Sequence, residues 1–471
     1  MISDLVGLLK FPYLCVFLVA IALRGIPEVL VSWYQIGYET ITYYAPPMFT
    51  FGEFGLVSVF TEFFRSGPFF YVLMWFAKIV SGAHPYLILK VVGPLLYGAL
   101  AVSFLLFLRR GLKLNEKMAL VGALIFVFQV AALRESWDRF RNVLGLVFVF
   151  AALWALKDNS KHKWWLLGLF AMLAALSREY IVFFLFVAVL GFAFLERKDR
   201  LKTLVALVPG FVVFSIMGAI IISSPELWGM YTPNLQNTWD AYLWIVQDAF
   251  SILVICFLPI LPFVAKGFAK DRLLNPIVGL LSVGSLSVVV SPWLAFPGYQ
   301  RWMMLLVFPL SIYAVRGFDR FGLFDDGNKW KLASILLAFL VVGVGYSSGV
   351  FSYVVLPNSW VPTNLVQSSI PWNQVDDVMN VLGWLNENAA LNSCVLTEER
   401  FYGWTLIYVA RANSDVRVIP YGASSSCMPA LEKALHDGFN QVYLIWLTDQ
   451  QLPSFRAVHS RKTVSVFEYA P

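Results

Sequence analysis

The stretch PYLILKVVGPLLYGALAVSFLLFLRRGLKLNEK, residues 85 to 117, joins a long apolar run to a short basic segment. The run from Pro85 to Leu108 is longer than the ~20 residues that a helix needs to cross the hydrocarbon of a bilayer. The segment that follows holds four Lys or Arg side chains, which is typical of a loop that stays in the cytoplasm. The stretch therefore predicts a membrane-spanning helix that ends on the cytoplasmic side.

The composition indicates a polytopic membrane protein. Of the 471 residues, 59% are hydrophobic and only 14% are charged, with a mean hydropathy of +0.71, whereas soluble globular domains have about 25% charged residues. The net charge of +6 does not indicate a nucleic-acid partner, because the basic residues are scattered through short loops instead of forming one patch. The first apolar stretch lacks a small-residue cleavage site, which predicts a retained helix.

Short basic segments recur along the chain and set the predicted topology. They occupy residues 109–117, 157–163, 196–202, 266–272 and 316–331. If all five remain in the cytoplasm, an even number of crossings separates each from the next. Each interval then forms a helical hairpin with an outward polar tip, and the four tips are residues 134–142, 177–179, 223–240 and 291–301. Several legs are shorter than ~20 residues, which predicts tips that dip into a water-filled cavity.

Two crossings before these hairpins and one after them bring the predicted total to about eleven transmembrane helices. The first helix is expected near residues 5–24, the first external loop at 25–84 with an interfacial helix at 67–82, and the last crossing at 332–350. The transmembrane domain is thus predicted to span residues 1–350. The predicted localisation is the cell membrane, with a cytoplasmic N-terminus and surrounding membrane lipid as a partner.

The remaining residues change character and predict a small extracytoplasmic α/β domain. A linker at 351–372 leads to residues 373–471, where helix-like and strand-like stretches alternate. Helices are expected at 373–389 and 427–438, and strands at 393–398, 415–420, 441–447 and 463–470. The domain has no glycine-rich phosphate loop. The predicted fold class is an α-helical polytopic membrane protein with this C-terminal α/β domain.

The cysteines permit one disulfide and no zinc site of ordinary spacing. Cys394 and Cys427 both fall in the C-terminal domain and would be able to form a bridge in an oxidising compartment, which the sequence leaves open. No grouping of Cys and His has the spacing of a structural zinc site.

One carboxylate, Glu39, lies in the first external loop, within QIGYETITYYAPPM at residues 35 to 48. Ionisable side chains at the depth of a bilayer are costly unless they line a cavity or pair with one another. The predicted topology gathers many of them on the outer face with Glu39: Glu28, Glu53, Glu62, Arg65, Arg134, Glu135, Asp138, Arg139, Arg141, Arg178, Glu179 and Arg301. Such a cluster predicts a functional site on the outer face.

These residues resemble the GT-C superfamily of polyprenyl-phosphate-dependent glycosyltransferases, to which protein O-mannosyltransferases and lipid A aminoarabinose transferases belong. The resemblance rests on the acid in its Gly-Tyr-acid context, the Gly-Pro-aromatic segment that starts at Gly67, the tip RESWDRFRNVLGL at residues 134 to 146, and the outward α/β tail. Members of this kind usually have Asp in the first loop, whereas this chain has Glu39, which is one methylene longer.

The resemblance implies sugar transfer, with inversion at the anomeric carbon, from a lipid-linked phosphate donor to a glycan, lipid or protein acceptor on the outer face. A general base must reach the acceptor hydroxyl, and Glu39 is the first candidate, followed by Asp138. Arginine forks suit the charge that develops on the departing phosphate, and the candidates are Arg301, Arg178 and Arg141. No cofactor is expected, because the loop offers a single acid, although Asp138 would be able to complete a divalent metal site.

Structural interpretations of the same acids remain open. Glu39 would cap a helix or pair with Arg24 or Arg65. Asp138 would form an i,i+4 pair with Arg134 that stabilises a helix end.

Arg178, Glu179 and Asp248 also have structural interpretations. Arg178 is typical of an interfacial cation, and on a helix it is expected to point away from its neighbour Glu179. Asp248 lies inside an apolar run and would serve either as an ion site or as a hydrogen-bonding group in the core.

Two other functional classes stay open. A lipid or solute transporter should have broken helices in matched halves, which the sequence does not show. A non-catalytic GT-C-like assembly subunit would explain Glu39 in place of Asp, and it should tolerate Gln at that position, whereas an enzyme should not.

Overall fold

The computed structural model describes the chain in ten segments, namely residues 11–31, 33–50, 67–196, 199–223, 239–290, 298–350, 362–410, 415–422, 426–448 and 454–470. A helical bundle is followed by a domain with a five-stranded sheet. Two of the predicted tips, at 223–240 and 291–301, lie mostly outside the described residues. Three charged residues of the predicted first external loop also lie outside them, namely Glu53, Glu62 and Arg65.

The bundle is built from apolar helices joined by short connections. Their bounds are α1 (Phe11–Leu30), α2 (Ala45–Thr50), α3 (Pro68–Ser81), α4 (Pro85–Leu106), α5 (Glu116–Phe128), α6 (Val130–Asp138), α7 (Phe140–Lys157), α8 (Lys163–Ser177), α9 (Glu179–Glu196), α10 (Arg200–Ser223), α11 (Trp239–Phe257), α12 (Leu261–Gly267), α13 (Leu274–Val290), α14 (Tyr299–Leu305), α15 (Val307–Arg320) and α16 (Lys329–Ser347). π-Helical turns at Thr40–Tyr44 and Phe107–Gly111 precede α2 and extend α4.

The helices confirm the prediction of a multi-pass membrane protein. Within the described residues, seven helical segments are long and apolar enough to cross a membrane, or nine if each of two bent pairs is one span. The predicted count of about eleven is not confirmed, since it would require the short helices α8 and α13 to cross as well. Helix α3 occupies the predicted interfacial segment and exposes Phe76, Ile79 and Val80, whose spacing places them on one helix face.

Two of the candidate spans are bent, which the sequence does not predict. Helices α5 and α6 meet at 63° and α11 and α12 at 76°. Pro259 lies at the second break, where its missing N–H and its ring disfavour a continuous helix. At the first break, the Tyr97 hydroxyl donates to the carbonyl of Val127 at 2.7 Å and the Gln129 side chain donates to Ser311 at 2.9 Å. These bonds satisfy polar groups that a break inside a membrane would otherwise leave unpaired.

The basic segments meet at one end of the bundle. Arg316 lies 3.0 Å from Asp271, which joins segments 266–272 and 316–331. Lys157 interacts electrostatically with charges from three other basic segments, namely Lys113, Glu196, Asp271 and Arg272. This common end is the arrangement on which the predicted topology depends, and the side of the membrane that it faces stays a prediction.

The C-terminal part forms the predicted α/β domain. Its elements are α17 (Val375–Asn388), β1 (Ser393–Glu398), α18 (Glu399–Thr405), β2 (Val416–Tyr421), α19 (Met428–His436), β3 (Gln441–Leu447), β4 (Phe455–Ser460) and β5 (Val464–Tyr469). The sheet order is β2-β1-β3-β5-β4, with β1 parallel to β2 and β3 and the other pairs antiparallel. Four predicted strands and two predicted helices are confirmed, whereas α18 and the edge strand β4 are not predicted. Cys394 and Cys427 are free thiols.

The chain enters this domain through a segment that packs on the bundle. The Trp372 ring stacks on Trp137 with centroids 6.1 Å apart. Gln367 is fully buried, and its side-chain amide donates to the carbonyl of Tyr346 at 2.5 Å. Residues 362–372, predicted as part of a linker, are therefore fixed against the helices.

Candidate functional site

The loop that carries Glu39, residues 33–44 and called here the Glu39 loop, lies directly against the end of α6. Gly37 has a φ of +90°, a left-handed conformation that glycine adopts without strain. A Cβ at residue 37 would lie 2.5 Å from the Cβ of Asp138. The backbone approaches this closely because glycine has no side chain, and the approach places Glu39 beside the charged tip at 134–142.

Asp138 is fully buried and holds the Glu39 loop by its backbone. Its Oδ2 accepts hydrogen bonds from the amides of Tyr38 at 3.0 Å and Glu39 at 3.3 Å. Its Oδ1 pairs with the guanidinium of Arg134, so the predicted i,i+4 pair is confirmed. A catalytic role for Asp138 stays a prediction, and the engagement of both oxygens favours a role in positioning the loop.

The Glu39 carboxylate points at arginines from two of the predicted tips. Its Oε1 accepts a hydrogen bond from Arg301 at 2.9 Å and lies 4.0 Å from Nε of Arg139. Its Oε2 accepts a hydrogen bond from the Tyr44 hydroxyl at 3.5 Å. The side chain is only 12% exposed, so the carboxylate is largely enclosed by its neighbours.

The guanidinium groups dominate the acidity of Glu39. Burial raises the pKa of this carboxyl, but the surrounding positive charges outweigh burial and lower the pKa from 4.5 to about 2. The charges, in decreasing order of effect, are Arg301, Arg139, Arg141 and Arg178. Because the folded-state pKa is depressed, these contacts stabilise the fold above pH 4.5, and their contribution is lost as the pH falls through about 2. Glu39 is therefore ionised at neutral pH.

The three arginines predicted to bind phosphate all lie around Glu39, in different settings. Arg141 is buried, donates to the Tyr44 hydroxyl at 3.4 Å, and lies over the ring of Tyr71 at 5.7 Å. The Arg301 side chain is 36% exposed, compared with 9% for Arg178. Arg301 is thus the cation of this group that an incoming anion reaches most easily.

Arg178 lies at a break between two helices. Its Nε is 3.3 Å from Oε1 of Glu179, so the expectation that these neighbours point apart is wrong. The reason is that α8 ends at Ser177 and residue 178 is extended, with φ of −164° and ψ of 124°. An extended residue does not follow the helical geometry on which the expectation depends.

The start of α14 fixes the position of Arg301. Tyr299, its first residue, donates a hydrogen bond to Oδ2 of Asp248 at 2.8 Å, and Gln300 donates to the same oxygen at 3.4 Å. Asp248 is buried and is a hydrogen-bonding group of the core, the second of its two predicted roles. It orients the turn from which Arg301 projects.

Sequence reasoning places Arg139 and Glu135 on the outer face but assigns neither a role. Arg139 pairs with Glu135 one helical turn earlier, and the other Glu135 oxygen accepts from Asn142 at 3.1 Å. Arg139 also donates to the side chain of Asn364 at 3.3 Å. The i,i+4 spacing of Glu135 and Arg139 is a signal of their pairing, but the approach of Arg139 to Glu39 depends on tertiary structure.

Two structural interpretations of Glu39, helix capping and pairing with Arg24, are not observed. Its side chain makes no capping hydrogen bond to the helical turn that follows it. Arg24 is engaged elsewhere, since it pairs with Glu28 at 2.8 Å and donates to the carbonyl of Trp137 at 2.7 Å. The expectation that Arg24 pairs with Glu39 is therefore wrong, while Arg65 lies outside the described residues.

The described side chains around Glu39 are mostly cationic and do not suit a divalent metal. Among the residues that the structure describes, no three His, Cys, Asp or Glu side chains come together in a group able to hold one. Asp138, the acid that would complete such a site, has both oxygens engaged. The guanidinium groups nearest Glu39 would also repel a divalent cation.

No protein-family profile and no curated protein sequence matches the chain. Among solved structures, it is similar to the single-particle cryo-EM structure of the arabinofuranosyltransferase AftD from mycobacteria, a GT-C glycosyltransferase, with a TM-score of 0.54 and 10% sequence identity. The similarity covers 97% of this chain and 40% of the other, so the chain spans about two fifths of the length of that structure. The predicted resemblance to the GT-C superfamily is confirmed at the level of the fold.

Proposed function

We propose that the chain is an inverting membrane glycosyltransferase that moves a sugar from a polyprenyl-phosphate donor to an acceptor hydroxyl on the outer face. The observation that carries the proposal is one carboxylate, Glu39, surrounded by four guanidinium groups in a GT-C-like fold. The reaction needs a base for the acceptor hydroxyl and cations for the departing phosphate. Glu39 and the arginines are groups of these two kinds.

Arg301 is the group that we assign to the donor phosphate. While it is paired with Arg301, Glu39 is a weak base, because a carboxylate with a pKa of about 2 has little tendency to take a proton. A phosphate that binds the Arg301 fork draws it away from Glu39, and burial then raises the pKa of the carboxylate. Donor binding would therefore activate the base. Arg141 and Arg178 add positive charge from deeper positions and are the second candidates for phosphate contact.

The transfer step moves one proton and exchanges one bond at the anomeric carbon. Glu39 takes the proton of the acceptor hydroxyl as that oxygen attacks the anomeric carbon from the face opposite the phosphate. The bond from this carbon to the phosphate oxygen breaks, and its electron pair leaves with the polyprenyl phosphate, whose added charge Arg301 neutralises. The proton on Glu39 then passes to water as the products leave.

The remaining roles follow from the contacts of each group. Asp138 positions the Glu39 loop instead of moving a proton, because both of its oxygens are engaged. We expect the reaction to need no metal, because the described groups nearest Glu39 are guanidinium groups, which repel a divalent cation. The similar structure is named for arabinofuranosyl transfer, so a pentosyl donor with a glycan acceptor is the first combination to test, before hexosyl donors and lipid or protein acceptors.

A transporter is the second candidate, because two of the candidate spans are bent and broken helices are typical of transporter sites. The described residues at the breaks themselves, such as Gln129 and Pro259, carry no charge. The charged groups lie instead around Glu39, at the end of α6. A catalytic site at the membrane surface fits this placement better than an ion or solute site at a break.

The proposal is tested by offering labelled donors to the purified protein in sealed lipid vesicles. The donors are radiolabelled polyprenyl-phosphate sugars carrying arabinofuranose, mannose, glucose or aminoarabinose, and a membrane extract supplies acceptors. Two quantities are measured, namely the label transferred from the lipid to a new product and the label that crosses the bilayer still attached to its lipid. Protein-free vesicles are the control for both.

Transfer of label above the protein-free control supports the glycosyltransferase. Movement of intact donor across the bilayer without transfer would contradict it in favour of a transporter. If no donor gives either transfer of label or passage of intact donor across the bilayer, the result would contradict an enzyme that uses this donor class and would favour an assembly subunit.

A further inference from the structure

The C-terminal domain shares a hydrophobic core with the Glu39 loop. One apolar cluster contains Ile41 and Tyr44 of the loop together with Val395 and Trp404 of the C-terminal domain. The Trp404 ring also contacts Tyr34, with centroids 6.3 Å apart. A shared core of this kind fixes the relative positions of the elements that it joins, because the interior of a protein is closely packed.

Helix α18 lies directly against the loop. A Cβ on Gly403 would lie 2.7 Å from Cγ2 of Ile41 and 2.9 Å from the Ile41 carbonyl oxygen, so only glycine permits this approach. The hydroxyl of Tyr38, the residue before Glu39, donates to Oε1 of Glu399 at 2.5 Å. Burial and this bond raise the pKa of the Tyr38 phenol, which therefore keeps its proton and remains a donor.

The opposite side of the loop is held by the charged tip. Asp138 accepts hydrogen bonds from the backbone amides of Tyr38 and Glu39. Arg134 pairs with the Asp138 carboxylate and also donates a hydrogen bond to the carbonyl of Asn364. Asn364 belongs to the segment that leads into the C-terminal domain. The loop is thus held between α6 on one side and α18 on the other, and both contacts connect to the C-terminal domain.

We propose that the C-terminal domain is a positioning element for Glu39, with Gly403 providing the close packing and Glu399 the polar anchor for Tyr38. The inference rests on the proposed function, since a base has to be held within hydrogen-bond distance of the acceptor hydroxyl. The domain would then set the rate of transfer without itself contacting the anomeric carbon.

The test compares Gly403→Ala with Gly383→Ala in the full-length protein in lipid nanodiscs. Gly383 lies in α17 of the same domain and has nothing within 4 Å of an added Cβ, so it is a matched control for the gain of a methyl group. The measurement is hydrogen–deuterium exchange of peptides from residues 33–50 and, as a check on folding, of β1 and β3. Tyr38→Phe, which removes only the hydroxyl, is measured in parallel.

Gly403→Ala is expected to speed exchange in residues 33–50 by roughly tenfold or more, with β1 and β3 unchanged. Gly383→Ala should match the native protein. Tyr38→Phe should give a smaller increase of a few-fold, as expected for one lost hydrogen bond. Loop exchange that stays at the native rate in both Gly403→Ala and Tyr38→Phe would overturn the proposal.

The same variants are then assayed for sugar transfer. The expected result is a fall in kcat of tenfold or more for Gly403→Ala, with affinity for the polyprenyl-phosphate donor unchanged. If Gly403→Ala speeds exchange in residues 33–50 but keeps the native kcat, the positioning role would be overturned. A native protein that transfers no sugar would contradict the proposed function instead, and the exchange measurements, which need no substrate, would still decide whether the domain holds the loop.

Discussion

Replacing Asp138 with Asn tests whether this acid positions the Glu39 loop. The side chain is 1% exposed, pairs with Arg134, and accepts two backbone amides. Removing one partner of a buried ion pair costs about 3–5 kcal/mol, whereas the oxygen that Asn retains still accepts from the amides. We therefore expect Asp138→Asn to lower the free energy of unfolding by about 3 kcal/mol or more.

The assay is reversible unfolding in mixed detergent micelles, combined with hydrogen–deuterium exchange of residues 33–50. The double variant Arg134→Met with Asp138→Asn removes the stranded positive charge and should recover part of the lost stability. Sugar transfer should fall in Asp138→Asn together with faster loop exchange, because a loosened Glu39 loop misplaces the base. Loss of transfer with native stability and native loop exchange would refute this reasoning and return Asp138 to a role in the chemistry.

Two further predictions concern Arg301 and Gly37. Arg301→Gln removes the charge that lowers the pKa of Glu39 most strongly. The pH below which kcat/KM falls should therefore move upward by roughly 1–3 pH units. An unchanged pH profile would contradict the pairing of Arg301 with Glu39. Gly37→Ala introduces a Cβ at φ of +90° against Asp138 and should destabilise the protein by about 1–3 kcal/mol, whereas Gly25→Ala, in a helix with open space, should have little effect.

Much of the fold is predictable because the helices and strands have strong local patterns. The apolar run that starts at Pro85 becomes α4, and the stretches QVYLIWL and TVSVFEYA, which are rich in β-branched and aromatic residues, become β3 and β5. The prediction fails where local pattern is weak. The edge strand β4 has a mixed polar sequence, and the bend at Gln129 has no proline to mark it. The hydrogen bonds at this bend are made with Tyr97 and Ser311, which are distant in sequence.

The candidate site is predictable as a set of residues but not as a geometry. Topology alone places Glu39, Arg178 and Arg301 on one face, because polar tips alternate with basic loops along the chain. The contacts that define their roles join residues far apart in sequence, such as Arg301 with Glu39 and Glu399 with Tyr38. Such contacts depend on the packing of several helices, for which a single sequence has no local signal.

Single-turnover release of polyprenyl phosphate by Glu39→Gln tests the central claim most directly. The enzyme, in excess, is mixed with the radiolabelled donor that the native protein uses best and with the membrane extract that supplies the acceptor. Donor binding is measured separately with the same lipid. The control is Glu387→Gln, a matched loss of charge at an exposed position of α17. The account predicts native release by the control and a decrease of roughly 10²–10⁴-fold for Glu39→Gln, with donor binding retained. Release by Glu39→Gln at the native rate would contradict the assignment of Glu39 as the base.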